Sequence, residues 1–360
     1  MSGIERLYVF KPTTPQADLD AWVAHLELHG DETAAHRLGP SPVIVSTGPA
    51  RPSPATLRLA APTAVVQSSG GFRLGRRELR PAGTVVSIGP TDVGDGRIAV
   101  FAGPCAVEGA EQLGTVAQVV ARCGAVGLRG GAFKPRTSPY AFQGMQWSGL
   151  ALLADVRRSV GLPVLTEVVD PRHVEQVAVV ADALQIGARN MQNFELLREA
   201  GATGLPVVLK RGFGCTVDEV LSAAEYILAE GNDQVILCER GIRTFEQATR
   251  FTLDISAVAL MKQRSHLPVM VDPSHSTGVP TLVEPVALAA VAAGADALII
   301  DVHTNPERAL CDGKQALLPA DFAALMGRME MLGMGLGRPM SAVGTLAVDE
   351  APATSAIPAR

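Results

Sequence analysis

From residue 98 to about 330 the chain repeats one pattern. A short run of apolar residues is followed by a longer stretch with apolar positions every third or fourth place. The apolar runs are Ile98–Phe101, Ala125–Leu128, Pro163–Glu167, Ala183–Ile186, Pro206–Leu209, Gln234–Cys238, Pro268–Val271 and Ala297–Ile300. Each is rich in Val, Ile, Leu and Ala and does not alternate with polar residues, as expected of a strand buried on both faces. The intervening segments Glu111–Arg122, Gly149–Val160, Arg172–Val180, Asn193–Ala200, Val217–Ala229, Leu253–Gln263, Leu282–Ala292 and Lys314–Met326 read as amphipathic helices. Eight strand–helix pairs over about 230 residues predict a (β/α)8 barrel of the TIM type. An open doubly wound sheet is the competing architecture, but no GxGxxG or Walker loop follows the first strand.

The rest of the chain has a different texture. Residues 1–68 alternate β-like runs (Leu7–Phe10, Val43–Val45, Ala64–Val66) with helical stretches such as Gln16–His29. The order strand, helix, strand pair, helix, strand predicts a small α+β, ferredoxin-like domain. Residues 69–97 are rich in Gly, Arg and Pro and read as a connector with a short hairpin. The segment 334–360 is Gly-, Pro-, Ala- and Ser-rich and reads as a disordered tail.

Composition narrows the function. The 360 residues carry 31 Lys+Arg against 36 Asp+Glu, and aromatics are only 4%. A mildly acidic chain without a basic run or stacking residues is a poor nucleic-acid or anionic-membrane binder. No apolar run is long enough to cross a membrane, and the N-terminus does not read as a secretion signal. Five scattered Cys make no disulfide framework and point to a reducing, cytoplasmic location.

In a barrel, functional side chains sit at the C-terminal ends of the strands. Those positions supply six cations: Arg129, Lys134, Arg136, Arg189, Lys210 and Arg240. Such convergence suits an anion bearing phosphate or carboxylate groups. Cys105, His275, Asp301 and Asp312 occupy other strand ends, and thiolate, imidazole and carboxylate together suit a divalent transition ion. Each also has an ordinary reading, Cys105 as a small buried hydrophobe and His275 as a loop hydrogen-bonder. His303 is an alternative ligand or partner. Cys123, Cys215, Cys238 and Cys311 read as packing or surface residues.

These same positions carry a resemblance. The segments AGPCAVEG (102–109), LRGGAFKPRTSPYAFQG (128–144), LPVLTEVVDP (162–171), LQIGARNMQNFELL (184–197), VVLKRG (207–212), ERGIRTFE (239–246), VMVDPSHSTG (269–278) and HTNPERALCDG (303–313) resemble the 3-deoxy-D-arabino-heptulosonate 7-phosphate (DAHP) synthase family. The likeness is to its class I, β-type branch with a small N-terminal domain. It implies condensation of phosphoenolpyruvate with erythrose 4-phosphate and water, giving DAHP and phosphate at the entry to the shikimate pathway.

By this resemblance Cys105, His275, Asp301 and Asp312 hold a divalent metal of the Mn, Fe, Co or Zn class. Arg129, Lys134, Arg189, Lys210 and Arg240 grip phosphoenolpyruvate, Arg136 and Thr137 hold the erythrose 4-phosphate end, and Glu167 orients or deprotonates water. The family usually has Glu where this chain has Asp301, a carboxylate shorter by roughly 1.5 Å. The resemblance also implies a homo-oligomer, commonly a tetramer, and an aromatic amino acid as a possible effector of the N-terminal domain. Three other readings compete. A 3-deoxy-D-manno-octulosonate 8-phosphate synthase carries an Asn-containing segment where this chain reads KPRTS. A Schiff-base aldolase would use Lys134 or Lys210. A catalytically lapsed regulatory paralogue would account for Asp301.

Overall fold

A computed structural model describes residues 4–49, 59–68, 71–136 and 138–342. The N-terminal unit consists of β1 (Ile4–Val9), a helix over Gln16–Leu28, β2 (Glu32–Leu38), β3 (Ser41–Gly48) and β4 (Ala64–Ser68). The sheet order is β2-β3-β1-β4 with every neighbour antiparallel. Alternation along β1 gives the sheet two apolar faces. Tyr8 and Phe10 pack with Trp22 and Leu26 of the helix, while Leu7 and Val9 face the rest of the molecule with Phe72, Leu74 and Leu79. The second helix expected before β4 falls on 50–58, outside the described residues.

The unit is fastened to the barrel by polar bonds. Glu225 accepts hydrogen bonds from the Leu74 and Gly75 amides at 2.9 and 2.7 Å. Arg80 pairs with Asp233 at 2.8 Å and donates to the Leu38 carbonyl at 2.6 Å. The expected connector hairpin is present as β5 (Val86–Ile88) and β6 (Thr91–Val93).

Eight parallel strands close the barrel: β7 (Ala99–Gly103), β8 (Gly127–Arg129), β9 (Val164–Glu167), β10 (Ala183–Ile186), β11 (Val207–Lys210), β12 (Val235–Glu239), β13 (Val269–Val271) and β14 (Ala297–Asp301). Every residue of these strands is buried, which explains their unbroken apolar sequence. Closure of β14 onto β7 excludes the open doubly wound sheet.

Alternate residues divide into two sets. Val100, Leu128, Val164, Leu209, Leu237 and Leu298 face the surrounding helices. Phe101, Leu165, Ala183, Val208, Cys238, Met270 and Ile299 fill the lumen, where Val86, Ile88 and Val93 of the hairpin join them and plug its N-terminal end. Gly127 is required here, because a Cβ at that position would lie 2.4 Å from the Phe101 ring.

Two expectations are corrected. The last helix runs over Pro319–Gly335 rather than Lys314–Met326. Residues before Pro319 are drawn inward instead: Leu317 donates to the Asp301 carbonyl at 2.9 Å and accepts from the His303 amide at 3.0 Å. Residues 334–342 are not a loose tail. The Ile98 amide donates to the Pro339 carbonyl at 2.9 Å, and Arg338 donates to the Ala295 carbonyl at 2.7 Å. Composition missed these bonds because they run to backbone carbonyls and amides distant in the chain. Residues 343–360 lie outside the described residues. Among the described residues no helix is long and apolar enough to cross a membrane.

Candidate functional site

The lumen parity continues past the apolar layers. Two residues beyond Leu165, Ala183, Val208, Cys238, Met270 and Ile299 stand Glu167, Gln185, Lys210, Arg240, Asp272 and Asp301. Because side chains repeat every second residue, the charged groups form the next inward layer at the barrel mouth. Asp272 and Gln185 were not singled out from sequence, although this parity identifies both.

A cavity of about 270 Å³ opens there. It is lined by all six expected cations, Arg129, Lys134, Arg136, Arg189, Lys210 and Arg240, together with Glu167, His275 and Asp312. A seventh cation, Arg250, comes from the loop after β12 and had not been anticipated. Thr137 lies outside the described residues. A wider groove of about 1110 Å³ runs beside the mouth along the loop after β14. It shares Arg250 and Asp312 with the cavity but none of the six cations, so the smaller cavity is the site that suits an anion.

Several cations are anchored from below. Arg129 meets Asp301 at 2.8 Å and Lys210 meets Asp272 at 2.5 Å, all four side chains being almost fully buried. Burial alone would push the Arg129 guanidinium down, but Asp301, Cys105 and Asp272 together more than reverse this. Lys134 reaches the Cys105 carbonyl at 3.1 Å, the Cys105 sulfur at 3.2 Å and Glu167 at 3.9 Å. Its pKa is likewise raised against burial by these neighbours, which keeps it an ammonium.

Arg240 differs from these. Burial lowers it to about 10, and its Nη1 has no hydrogen-bond partner. The guanidinium instead lies 4.1 Å from the Phe251 ring centroid and 4.9 Å from that of Phe213, over which Arg189 also sits at 5.2 Å. A buried cation aimed at a cavity with a spare donor is poised for an incoming anion. Glu167 stands against Gly187, just past the end of β10, where any Cβ would come within 2.0 Å of its Oε1.

The proposed ligand set comes from the turn after β7, the short helix after β13, the end of β14 and the loop beyond it. Asp272 caps the helix Pro273–Thr277 by accepting from the His275 amide at 2.8 Å. Its carboxylate also accepts from Nδ1 of the same residue, with Oδ2 at 3.0 Å. This pair fixes the ring and leaves Nε2 facing Cys105 Sγ at 3.7 Å and Asp312 Oδ2 at 3.6 Å. Cys105 Sγ lies 3.2 Å from the same Asp312 oxygen. Burial would push the His275 imidazole down, yet Asp272 and Asp301 raise it to about 10. Burial would likewise raise Asp312, but His275, Arg250 and Lys134 hold it well below the usual carboxylate range.

Donor atoms of Cys105, His275 and Asp301 lie within 4.8 Å of one another, and Asp312 approaches Cys105 and His275 but is not grouped with Asp301. The set fits a divalent transition ion: a sulfur, an imidazole nitrogen and carboxylate oxygens around one point, with a carboxylate behind the imidazole. Asp301 is the least committed to it. Its Oδ1 is bonded to Arg129, and its Oδ2 accepts from the Gln315 amide at 2.6 Å.

Cys311, read as a packing or surface residue, packs against this cluster, with partners the sequence did not reveal. It is buried against the cluster, its sulfur 3.9 Å from Cys105 Sγ and 2.9 Å from Arg136 Nη1. Its position next to Asp312 in the chain was the only available signal. The Cys105 thiol is pushed well up by the Cys311 sulfur and by burial, with Lys134 opposing, while Cys105 pulls Cys311 down. His303 is not among the donors. Its Nδ1 accepts from the Asn305 amide at 2.9 Å, and its Nε2 faces Glu108 at 3.7 Å.

Comparison with known proteins identifies the family. Residues 84–333 match the model of the DAHP synthetase I family. The phospho-2-dehydro-3-deoxyheptonate aldolase of Thermotoga maritima is 50% identical over 273 residues, 76% of this chain and 81% of that protein. A crystal structure of the Thermotoga maritima DAHP synthase superposes with a TM-score of 0.75 at 43% identity, covering 94% of this chain and 99% of that one. The 2-dehydro-3-deoxyphosphooctonate aldolase of Citrifermentans bemidjiense is more distant, 32% identical over 267 residues, 69% of this chain and 96% of that protein. The chain belongs to the DAHP synthetase I family.

Proposed function

We propose that the protein condenses phosphoenolpyruvate with erythrose 4-phosphate and water to give DAHP and phosphate. The observation that carries this reading is the cavity lined by seven cations together with His275 and Asp312, both of which approach Cys105. Both substrates are phosphorylated, and bringing two anions together requires concentrated positive charge. The stronger identity to a heptonate aldolase than to octonate aldolases supports the four-carbon aldehyde.

Arg129, Lys134, Arg189, Lys210 and Arg240 grip phosphoenolpyruvate, the spare Arg240 donor taking one anionic oxygen. Arg136, with Thr137, holds the phosphate end of the aldehyde and brings its carbonyl carbon against C3 of the enol. C3 attacks that carbon. Lys134, held as an ammonium, delivers a proton to the carbonyl oxygen as it becomes a hydroxyl. Water adds at C2, and Glu167, 3.9 Å from Lys134, takes its proton. The hemiketal phosphate then collapses to the ketone and expels phosphate. When bound by Cys105, His275, Asp312 and Asp301, a divalent ion of the Mn, Fe, Co or Zn class supplies Lewis-acid polarisation of the aldehyde oxygen.

The N-terminal unit is assigned to control by an aromatic amino acid, and the working form to a homo-oligomer. The family resemblance supports both. Titration of the rate with tyrosine and phenylalanine, alongside light scattering, tests them; an unresponsive monomer removes them. The activity itself is tested by phosphoenolpyruvate consumption with erythrose 4-phosphate or arabinose 5-phosphate, with and without EDTA. Turnover with the first aldehyde only, lost in EDTA, is expected. Preference for the pentose phosphate, or a substrate adduct trapped by borohydride on Lys134 or Lys210, overturns the reading.

A further inference from the structure

Two aromatic rings stand among the cations of the mouth. Phe213, just past β11, lines the anion cavity, and Phe251 lies on the loop after β12. The rings are stacked, 7° apart in plane with centroids at 4.9 Å. Four guanidiniums gather on this stack. Arg189, Arg240 and Arg243 lie 5.2, 4.9 and 5.3 Å from the Phe213 centroid. Arg240 and Arg250 lie 4.1 and 5.9 Å from that of Phe251, so Arg240 is shared by both rings.

Backbone bonds fix the stack from two sides. The Phe251 amide donates to the Ser276 carbonyl at 2.8 Å, and the Arg250 amide to the Thr277 carbonyl at 2.9 Å. Ile242 and Thr252 exchange two further bonds at 2.9 and 3.0 Å, and the Arg243 amide donates to the Phe213 carbonyl at 2.7 Å. A Cβ on Gly241 would lie 2.7 Å from that of Phe251, so Phe251 sits directly against the residue that follows Arg240. Arg240 is thus held differently from its neighbours. Arg129 and Lys210 are bonded to carboxylates, which occupy N–H donors and offset the charge. An aromatic face attracts a cation through the ring quadrupole and occupies no donor. Arg240 is almost fully buried, yet its Nη1 has no hydrogen-bond partner.

We propose that Phe213 and Phe251 are positioning residues for phosphoenolpyruvate binding. The stacked rings hold the Arg240 guanidinium over their faces and leave its donors for an anionic oxygen of the substrate. They act through Arg240 and carry no chemistry of their own. The inference rests on the assignment of Arg240 to phosphoenolpyruvate above and deepens it by naming what aims that residue. It also explains why two large apolar side chains stand in a cavity otherwise lined by charge: a carboxylate in their place would hold Arg240 equally well but would repel the incoming anion.

Calorimetric titration with phosphoenolpyruvate tests this on the full chain. Phe251→Leu keeps an apolar side chain but removes the quadrupole, and it should weaken binding about tenfold, with KM for erythrose 4-phosphate unchanged. In an Arg240→Gln background the same substitution should add no further loss, because a residue acting through Arg240 has nothing left to act on. Wild-type affinity in Phe251→Leu, or an equal further loss in the Arg240→Gln background, overturns the proposal. A second probe does not depend on how well Phe251→Leu folds. Placing 3,4,5-trifluorophenylalanine at position 251 keeps the ring's shape and withdraws electron density from its face, so binding should weaken in the same direction. Unchanged affinity with the fluorinated ring also overturns the proposal. These outcomes differ from failure of the underlying reading. If the wild-type protein does not bind phosphoenolpyruvate, the substrate assignment falls and the role of the rings with it. If it binds and the ring changes have no effect, the assignment stands and only the role of the rings is lost.

Discussion

Two residues along each strand separate the apolar floor of the barrel from its charged mouth. Val208 and Lys210, Met270 and Asp272, Ile299 and Asp301 share a strand and a face, about 6.6 Å apart at a rise of roughly 3.3 Å per residue. Below, Phe101, Met270 and the hairpin residues Val86 and Ile88 pack into a closed, fully buried layer. Above, Arg129–Asp301 and Lys210–Asp272 are ion pairs buried to nearly the same degree. Burying charge is costly even when paired, and apolar replacements of such pairs are often neutral or stabilising. The floor therefore serves stability, and the mouth keeps its charges for chemistry at some expense to stability.

That contrast can be broken from either end. The largest effect belongs to the mouth. Cys105→Ala should lower kcat by about 10³-fold, near 4 kcal/mol of barrier, while leaving the thermal midpoint almost unchanged. Steady-state kinetics and calorimetry on one preparation check both halves. Phe101→Ala should do the reverse: a stability loss of about 3–5 kcal/mol in denaturant unfolding, with kcat preserved at low temperature. A Phe101→Ala enzyme that stays stable but loses turnover would mean that floor and mouth are not separable.

The third effect is a pH dependence at the closed end. His266 is buried, its Nε2 bonded to the Leu74 carbonyl at 2.7 Å and its Nδ1 to the Thr84 hydroxyl at 2.7 Å. Burial lowers its pKa to about 4 from the ordinary 6.5. Between those values the unfolded chain binds more protons than the folded one, so stability falls as pH drops from about 6.5 to 4 and is flat above. The expected loss is on the order of 3 kcal/mol, read as a falling denaturation midpoint. His266→Gln should flatten that part of the profile; a variant with the same slope removes His266 as its cause. The smallest effect is at the rim. Arg136→Ala should raise KM for the aldehyde about tenfold, near 1.4 kcal/mol, with KM for phosphoenolpyruvate unchanged. A shift in the second constant instead would move Arg136 to the other substrate.

Much of this division was legible in the chain. Short unbroken apolar runs marked the strands because both faces of each are covered, and their ends named six cations that share one cavity. What escaped depends on contacts between distant positions. Asp272 was not singled out, yet it pairs with Lys210 and orients His275. Arg250 and Gln315 lie in loops without periodicity, and only the fold brings them to Asp312 and Asp301. Cys311 carried no spacing signal, since its partner Cys105 is 206 positions away. Residues 334–342 looked unstructured by composition because their order comes from backbone bonds to Ile98 and from the Arg338 guanidinium on the Ala295 carbonyl.

The central claim is that the charged layer above the apolar floor is a receptor for phosphoenolpyruvate. Calorimetric titration with phosphoenolpyruvate alone, on the wild-type protein and on Arg240→Gln, tests it most directly. The account predicts one molecule bound per chain in the wild type and at least about tenfold weaker binding in the variant, with the fold intact by circular dichroism. Equal affinity in the two proteins would contradict it.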